Sequence, residues 1–254
     1  MISSGKLIFL LFASLCLGGC VSHKNLLNLQ GNEKNTSINH LRSAYLVQSG
    51  DILDVRVSSV DPQSVAIFNK ESASPSNQVS PASIYLNGYS INDSGFVNLP
   101  LIGELQVKGL TINQVKDSID KMMKPYYKYV SVDVKLMSFQ VTVLGEVNAQ
   151  GTFNIYRDQA NIIQAIGLAG GVTDFADRKK VRVIRKTNDI SELAYLDISS
   201  SEIIASPYYY LQPNDIIYIE PLKAKITRLN APAIQIALST LTFIIVMLNF
   251  ATRF

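Results

Sequence analysis

The sequence predicts an α+β fold of two small domains in series, followed by a single C-terminal membrane helix. Three observations carry this expectation. Short runs alternate apolar and polar residues, as at Ile52 to Ser58 and Val130 to Leu136, which is the period of half-buried strands. Helical spacing is confined to brief stretches, at Ile112, Val115, Ile119 and Met122 and again at Ile162, Ile163 and Ile166. Ala233 to Phe250 holds no charged residue for about 27 Å of helix at 1.5 Å per residue, close to the thickness of a bilayer's hydrocarbon core.

The N-terminus reads as a targeting signal. Lys6 precedes the apolar run Leu7 to Leu17, and Leu17-Gly18-Gly19-Cys20 stands where a signal peptide is cut. The pattern matches a bacterial lipoprotein signal over residues 1–19, with Cys20 as the lipid-attachment residue of the mature chain. The competing reading, an uncleaved anchor helix, fits less well because the run has signal-peptide length and ends in small residues and a cysteine. At the other end a buried core helix competes with a membrane helix over 233–250. Pro232 before it and Arg253 behind it are the flanks of a membrane segment.

Residues 20–44, rich in Asn, Ser and Lys, read as a tether. The first domain is expected over 45–137. Gln48-Ser49-Gly50-Asp51 is a tight turn leading into the strand at Ile52, where Leu53, Val55 and Val57 alternate with Asp54, Arg56 and Ser58. Asn69 to Ser83, with Pro75 and Pro81 among Ser and Asn, reads as a surface insertion. Asn92-Asp93-Ser94-Gly95 is a second turn, and Phe96 to Leu101 is extended. Thr111 with Gln114 forms a capping box that opens a helix, which Pro125 closes.

A second domain is expected over 138–221. Val141 and Val143 lead to Gly145-Glu146-Val147, Gly151 marks a turn, and Phe153 to Tyr156 is a strand. Asp158 is a candidate cap for the short helix, and Gly170-Gly171 would end it with left-handed angles. Strands follow at Val181 to Ile184, Leu193 to Leu196 and Ile216 to Ile219. Few strands around one short helix imply a small β-grasp. Residues 222–232 then link to the helix.

Composition narrows the function. Removing residues 1–19 takes away one lysine and no acid, leaving 22 basic against 20 acidic residues, too weak a balance to argue for nucleic acid. Cys16 lies in the signal and Cys20 would be acylated, so the mature chain is expected to form no disulfide. His23 and His40 are the only histidines and both fall in the tether, which leaves no Ser-His-acid or His-metal constellation for the folded part. Gly167 to Gly171 follows a helix and lacks a Lys-Ser/Thr pair, so it reads as a helix end and not a phosphate loop. Asp51, Asp54 and Asp93 sit at turns or on a strand's polar face, where acids are routine, and do not make a glycosidase pair. Neither a catalytic residue, a metal nor a cofactor is expected, apart from covalent lipid on Cys20.

Three ordered blocks carry a family resemblance. Tyr45 to Leu53 (YLVQSGDIL), Gly95 to Gly103 (GFVNLPLIG) and Val107 to Thr111 (VKGLT) resemble the polysaccharide export (PES) domain of outer-membrane polysaccharide export lipoproteins. Val143 to Val147 with Gly151, then Gln164 to Ile166 and Ala169-Gly170-Gly171-Val172 through Asp177-Arg178, resemble the soluble-ligand-binding β-grasp (SLBB) domain that follows in the same family. Tyr210 to Ile219 (YLQPNDIIYI) would close that unit. The resemblance implies one PES domain, one SLBB domain and a terminal helix. It further implies a lipid-anchored homo-oligomeric ring in the bacterial outer membrane, with its domains in the periplasm and an exit pore for capsule or exopolysaccharide. An inner-membrane polysaccharide co-polymerase or export partner is implied with it. The alternative is a membrane-tethered periplasmic module that binds a soluble ligand through its SLBB domain.

Three further sets of residues are candidates. Lys180, Arg182 and Lys186 share one side of an extended strand, where they would meet an acidic glycan, a neighbouring subunit or only solvent. Tyr208-Tyr209-Tyr210 could stack on sugar rings or pack an interface. On a helical wheel Ser239, Thr242, Val246 and Asn249 lie within about 40° of Gln235. Gln235, Ser239, Thr242 and Asn249 are thus candidate pore-lining residues, with helix-to-helix packing as the competing use.

Overall fold

The computed structural model of the chain describes residues 28–31, 44–69, 81–187, 190–225 and 231–251. The predicted signal peptide and Cys20 lie outside the described residues.

In chain order the first domain runs β1 (Ile52–Ser59), α1 (Pro62–Val65), α2 (Pro81–Asn87), β2 (Tyr89–Ser90), β3 (Phe96–Leu99), β4 (Gly103–Gln106), α3 (Ile112–Met123) and β5 (Val130–Leu136). An antiparallel sheet has the order β2-β1-β5, and β3 and β4 form a separate hairpin. The alternation of β1 decides the register: Leu53, Val55 and Val57 oppose Leu136, Val134 and Val132. These side chains are buried together against Val115, Ile119 and Met123 of α3. Each aliphatic side chain removed from water in this way contributes about 1.5–3 kcal/mol. Thr111 caps α3 with the expected box, its side chain accepting from Gln114 N while the Gln114 side chain accepts from Thr111 N. Phe96 to Leu101 is shorter as a strand than its pattern suggested. β3 stops at Leu99, and Leu101 turns with φ of 60°.

The second domain runs β6 (Gln140–Gly145), β7 (Gly151–Asn154), α4 (Ile162–Leu168), β8 (Ala176–Thr187), β9 (Ile190–Leu196), a 3-10 turn (Ser201–Ala205) and β10 (Ile216–Pro221). The sheet order is β7-β6-β10-β8-β9, with β6 and β10 parallel and the other pairs antiparallel. Its inward face (Val141, Val143, Val181, Val183, Ile217, Ile219) covers Ile162, Ala165 and Ile166 of α4. The cap of α4 differs from expectation. Asn161, not Asp158, accepts from Gln164 N at 2.8 Å, because Asn161 holds the extended angles of a cap (φ −108°, ψ 165°) directly before the first helical residue.

Strand direction gives this sheet two distinct ends. β6 leaves the first domain at Gln140, and β10 runs parallel beside it, Ile216 opposite Thr142. Both therefore travel away from the first domain. Pro221 at the end of β10 pairs with Ala176 at the start of β8, and β8 returns toward the junction. Within the stretch read as a tether, residues 28–31 lie at the far end. Leu29 N donates to Ile198 O at 3.1 Å, Gln30 N to Ser199 O at 2.6 Å, and Ser201 N to Gln30 O at 2.9 Å.

The last helix, α5 (Ala231–Ala251), has 21 residues. Its apolar side chains from Ile236 to Leu248 are 50–65% exposed. Among the described residues no helix is long and apolar enough to cross a membrane. The helix expected over 233–250 is therefore observed as a helix, and its crossing of a membrane is not.

Candidate functional site

Two buried carboxylates organise the junction between the domains, and both arise from the same local sequence. Gln48-Ser49-Gly50-Asp51-Ile52 and Gln212-Pro213-Asn214-Asp215-Ile216 each form a turn whose third residue has left-handed angles, Gly50 at φ 87° and Asn214 at φ 66°. In each, the aspartate accepts from the backbone N–H three residues earlier: Gln48 N donates to Asp51 Oδ2 at 2.9 Å and Gln212 N to Asp215 Oδ2 at 2.8 Å. Each turn then feeds a strand, β1 or β10.

Their further partners differ. Asp51 accepts from Tyr45 Oη at 2.8 Å and Ser138 Oγ at 3.2 Å, so a residue of the interdomain connection closes the first turn. Asp215 is fully buried and takes Arg185 Nη2 at 2.8 Å and Nε at 3.1 Å, while Arg185 Nη2 also donates to Tyr210 O at 2.9 Å. Burial raises both carboxyls above their ordinary range, opposed at Asp51 by donors from Gln48, Tyr45 and Ser138 and at Asp215 chiefly by Arg185. Burial, reinforced by Asp51, holds the Tyr45 phenol well above its usual range.

Between the domains lies an open cleft of about 1510 Å³, lined by Tyr45, Lys116, Arg157, Arg185, Tyr208 and Gln212 among others. Its rings, its cations and carboxylates such as Asp133, Asp158 and Glu192 offer both donors and acceptors to polar, hydroxyl-rich matter. Among the described residues no group of three or more His, Cys, Asp or Glu stands close enough to hold a metal.

Of the residues singled out from sequence, Tyr208 and Tyr210 line this cleft, and the β8 cations and the α5 residues do not. Lys180, Arg182 and Lys186 lie on the outward face of β8, with Lys180 and Lys186 exposed. Arg182 is engaged: it pairs with Glu220, and its guanidinium lies 5.7 Å from the Tyr195 ring and 5.6 Å from the Tyr218 ring. The bond to Glu220 raises its pKa. The tyrosine run is used internally. Tyr208 donates to Glu192 Oε2 at 2.7 Å beneath Arg185, and Tyr209 and Tyr210 meet edge to face at 5.2 Å. Sequence reasoning missed Arg185, although its signal was present: it stands in phase with Val181 and Val183 and so faces inward, where a cation needs an acid.

On α5, Ser239 Oγ donates to Ile236 O at 2.9 Å and Thr242 Oγ1 to Leu238 O at 2.7 Å. Both hydroxyls are thus satisfied within the helix and are compatible with lipid as well as water. Gln235 is exposed, and the side chain of Asn249 lies outside the described residues. At the far end of the second domain, Lys225 Nζ contacts Glu146 Oε1 at 2.5 Å and Thr173 Oγ1 donates to Glu146 Oε2 at 2.8 Å, which holds the Glu146 carboxyl below its usual range.

Residues 39–137 match the family described as polysaccharide biosynthesis/export protein, and residues 140–219 match the SLBB domain. The chain is similar to the EPS I polysaccharide export outer membrane protein EpsA of Ralstonia nicotianae, 25% identical over 174 residues, covering 62% of this chain and 43% of that protein. It is also 25% identical over 142 residues to the protein of the same name from Ralstonia solanacearum, covering 53% of this chain and 36% of that one. The matched region thus spans less than half the length of either curated relative. The chain thus carries, in order, a match to the polysaccharide biosynthesis/export protein family and a match to the SLBB domain, which together take in most of its folded part.

Proposed function

We propose that this protein is the outer-membrane component of a capsule or exopolysaccharide export translocon. In this reading it is lipid-anchored through Cys20, assembles as a homo-oligomeric ring, and forms an exit pore for polysaccharide. The observation that carries the reading is the ordered export and SLBB pair, joined to a helix whose apolar surface is left exposed. An outer-membrane location is supported by the names of the relatives. The periplasmic domains would face an inner-membrane polysaccharide co-polymerase or export partner. The protein acts as a conduit and not as an enzyme, since its conspicuous carboxylates serve turns and an ion pair.

The helix over 233–250 would cross the membrane. Because Ser239 and Thr242 satisfy themselves, the case for a wet face rests on the amides of Gln235 and Asn249, which are costly against lipid. Imaging of the detergent-extracted, lipid-modified protein tests the assembly. Rings are expected; a monomer that binds a small soluble ligand tightly would instead favour the tethered binding module. Cysteine scanning in intact cells tests the helix, with hydrophilic thiol reagents expected to label positions 235, 239, 242 and 249 preferentially. Protection of all four would leave the helix as an anchor only.

A further inference from the structure

The N-terminal segment is built into the second domain. Besides the three backbone bonds of residues 28–31, Arg178 Nε donates to Asn28 Oδ1 at 3.0 Å, and Gln30 stands opposite Ser200 as a parallel bridge. The fit is close. A Cβ at Gly31 would lie 2.1 Å from Ser201 Oγ and 3.0 Å from Ser201 Cβ. These contacts sit at the end of the sheet where Ala176 pairs with Pro221, the point from which the chain departs toward α5. Lys225, just beyond, is tied back to that end through Glu146.

We propose that residues 28–31 are a docking strand that clasps the N-terminus to this end of the second domain, so that lipid and C-terminal helix together hold one surface of the domain against the bilayer. The proposal rests on the reading of Cys20 as acylated and α5 as inserted. Chain length gives it consequence. Asn28 lies eight residue steps from Cys20, a reach of at most about 28 Å, whereas a tether free as far as Ala44 would reach about 80 Å. The docked strand therefore shortens the leash roughly threefold. It also places the lipid on the 198–201 side of the domain and the helix exit on the 176–221 side, so two points limit tilt where one would not.

Cysteine chemistry on the full, lipid-modified chain reads this directly, because Cys20 is the mature chain's one native cysteine and its sulfur is taken by lipid. The pair Gln30→Cys with Ser200→Cys is expected to close a disulfide within one chain. Closure only between chains, or none, overturns the clasp. In proteoliposomes of phosphatidylethanolamine and phosphatidylglycerol, a fluorophore on Glu202→Cys is expected to be quenched by headgroup nitroxide lipids, and one on Tyr126→Cys in the first domain is not. Adding Gly31→Val should release the strand and cause loss of Glu202 quenching, restored when the Gln30–Ser200 pair is locked by oxidation. Unchanged quenching in Gly31→Val means the helix alone sets the orientation and sinks the proposal. A label at Leu241→Cys reports separately on insertion: absence of quenching there by acyl-chain nitroxides overturns the membrane reading of α5 and the two-point attachment with it, while an intrachain disulfide would still establish the docked strand.

Discussion

The turns at Gln48–Asp51 and Gln212–Asp215 are near copies in sequence and geometry, yet they hold their acids by different means. Each aspartate takes the backbone N–H of its own turn. Beyond that, Asp51 is surrounded by neutral donors from Tyr45 and Ser138, while Asp215 depends on the guanidinium of Arg185. The difference teaches that local sequence writes the turn and the fold chooses what neutralises its charge. The side chain of Arg185 is 9% exposed and the carboxylate it meets is not exposed at all, so this pair is the more brittle of the two.

The largest effect is therefore expected from Arg185→Met, which strands a buried carboxylate and should cost about 3–5 kcal/mol of unfolding free energy in denaturant titrations. The double variant Arg185→Met with Asp215→Leu should recover most of that loss; failure to recover would mean that Arg185 acts mainly through Tyr208 and Tyr210. Asp51→Asn is expected to cost less, about 1–3 kcal/mol, because an amide turns a donor toward at least one of three donors but leaves no ion unpaired. An equal cost at both sites would mean that the ion pair at Asp215 is no more brittle than the neutral donors at Asp51.

A smaller effect separates the turns at their left-handed residues. A Cβ at Gly50 meets no atom within 4 Å, so Gly50→Ala should show backbone strain alone, about 1 kcal/mol. Gly50→Asn should cost less, since asparagine already occupies the matching place at Asn214. The last effect is one of shape. Asp51 and Asp215 titrate above their ordinary 3.8, so the folded chain retains protons that the unfolded chain has released. Their contribution to stability is greatest below 3.8 and falls as pH rises through the folded titration. Glu146, held below 4.5 by Lys225, behaves oppositely: its contribution is present above 4.5 and lost as pH falls. Unfolding curves across this range should rise more steeply with pH in Asp51→Asn and less steeply in Glu146→Gln. The reverse ordering would mean the two environments have been assigned wrongly.

Much of the fold was legible because its signals are local. The alternation of β1 and β5, the Thr111 box and the glycines after α4 each depend on a few neighbouring residues. Asp158 and Asn161 are both good caps by residue type, and only the backbone angles at position 161 separate them. The cation row on β8 was legible as a face, but its partners came from β9 and β10, which no spacing rule could supply. Residues 28–31 carried no strand pattern at all, since their pairing is with backbone far along the chain.

The sequence by itself determined where strands, caps and turns would form, that two small domains precede an apolar helix, and which family the chain resembles. Those properties follow from side-chain period, turn chemistry and ordered motifs, all readable within a window of a few residues. Only the tertiary structure decided that Arg185 answers Asp215, that Ser138 answers Asp51, and that the N-terminal segment lies at the end of the sheet from which the helix departs. Such choices depend on which distant groups share a buried space, where an unpaired charge or backbone amide is costly and the whole fold must supply its partner.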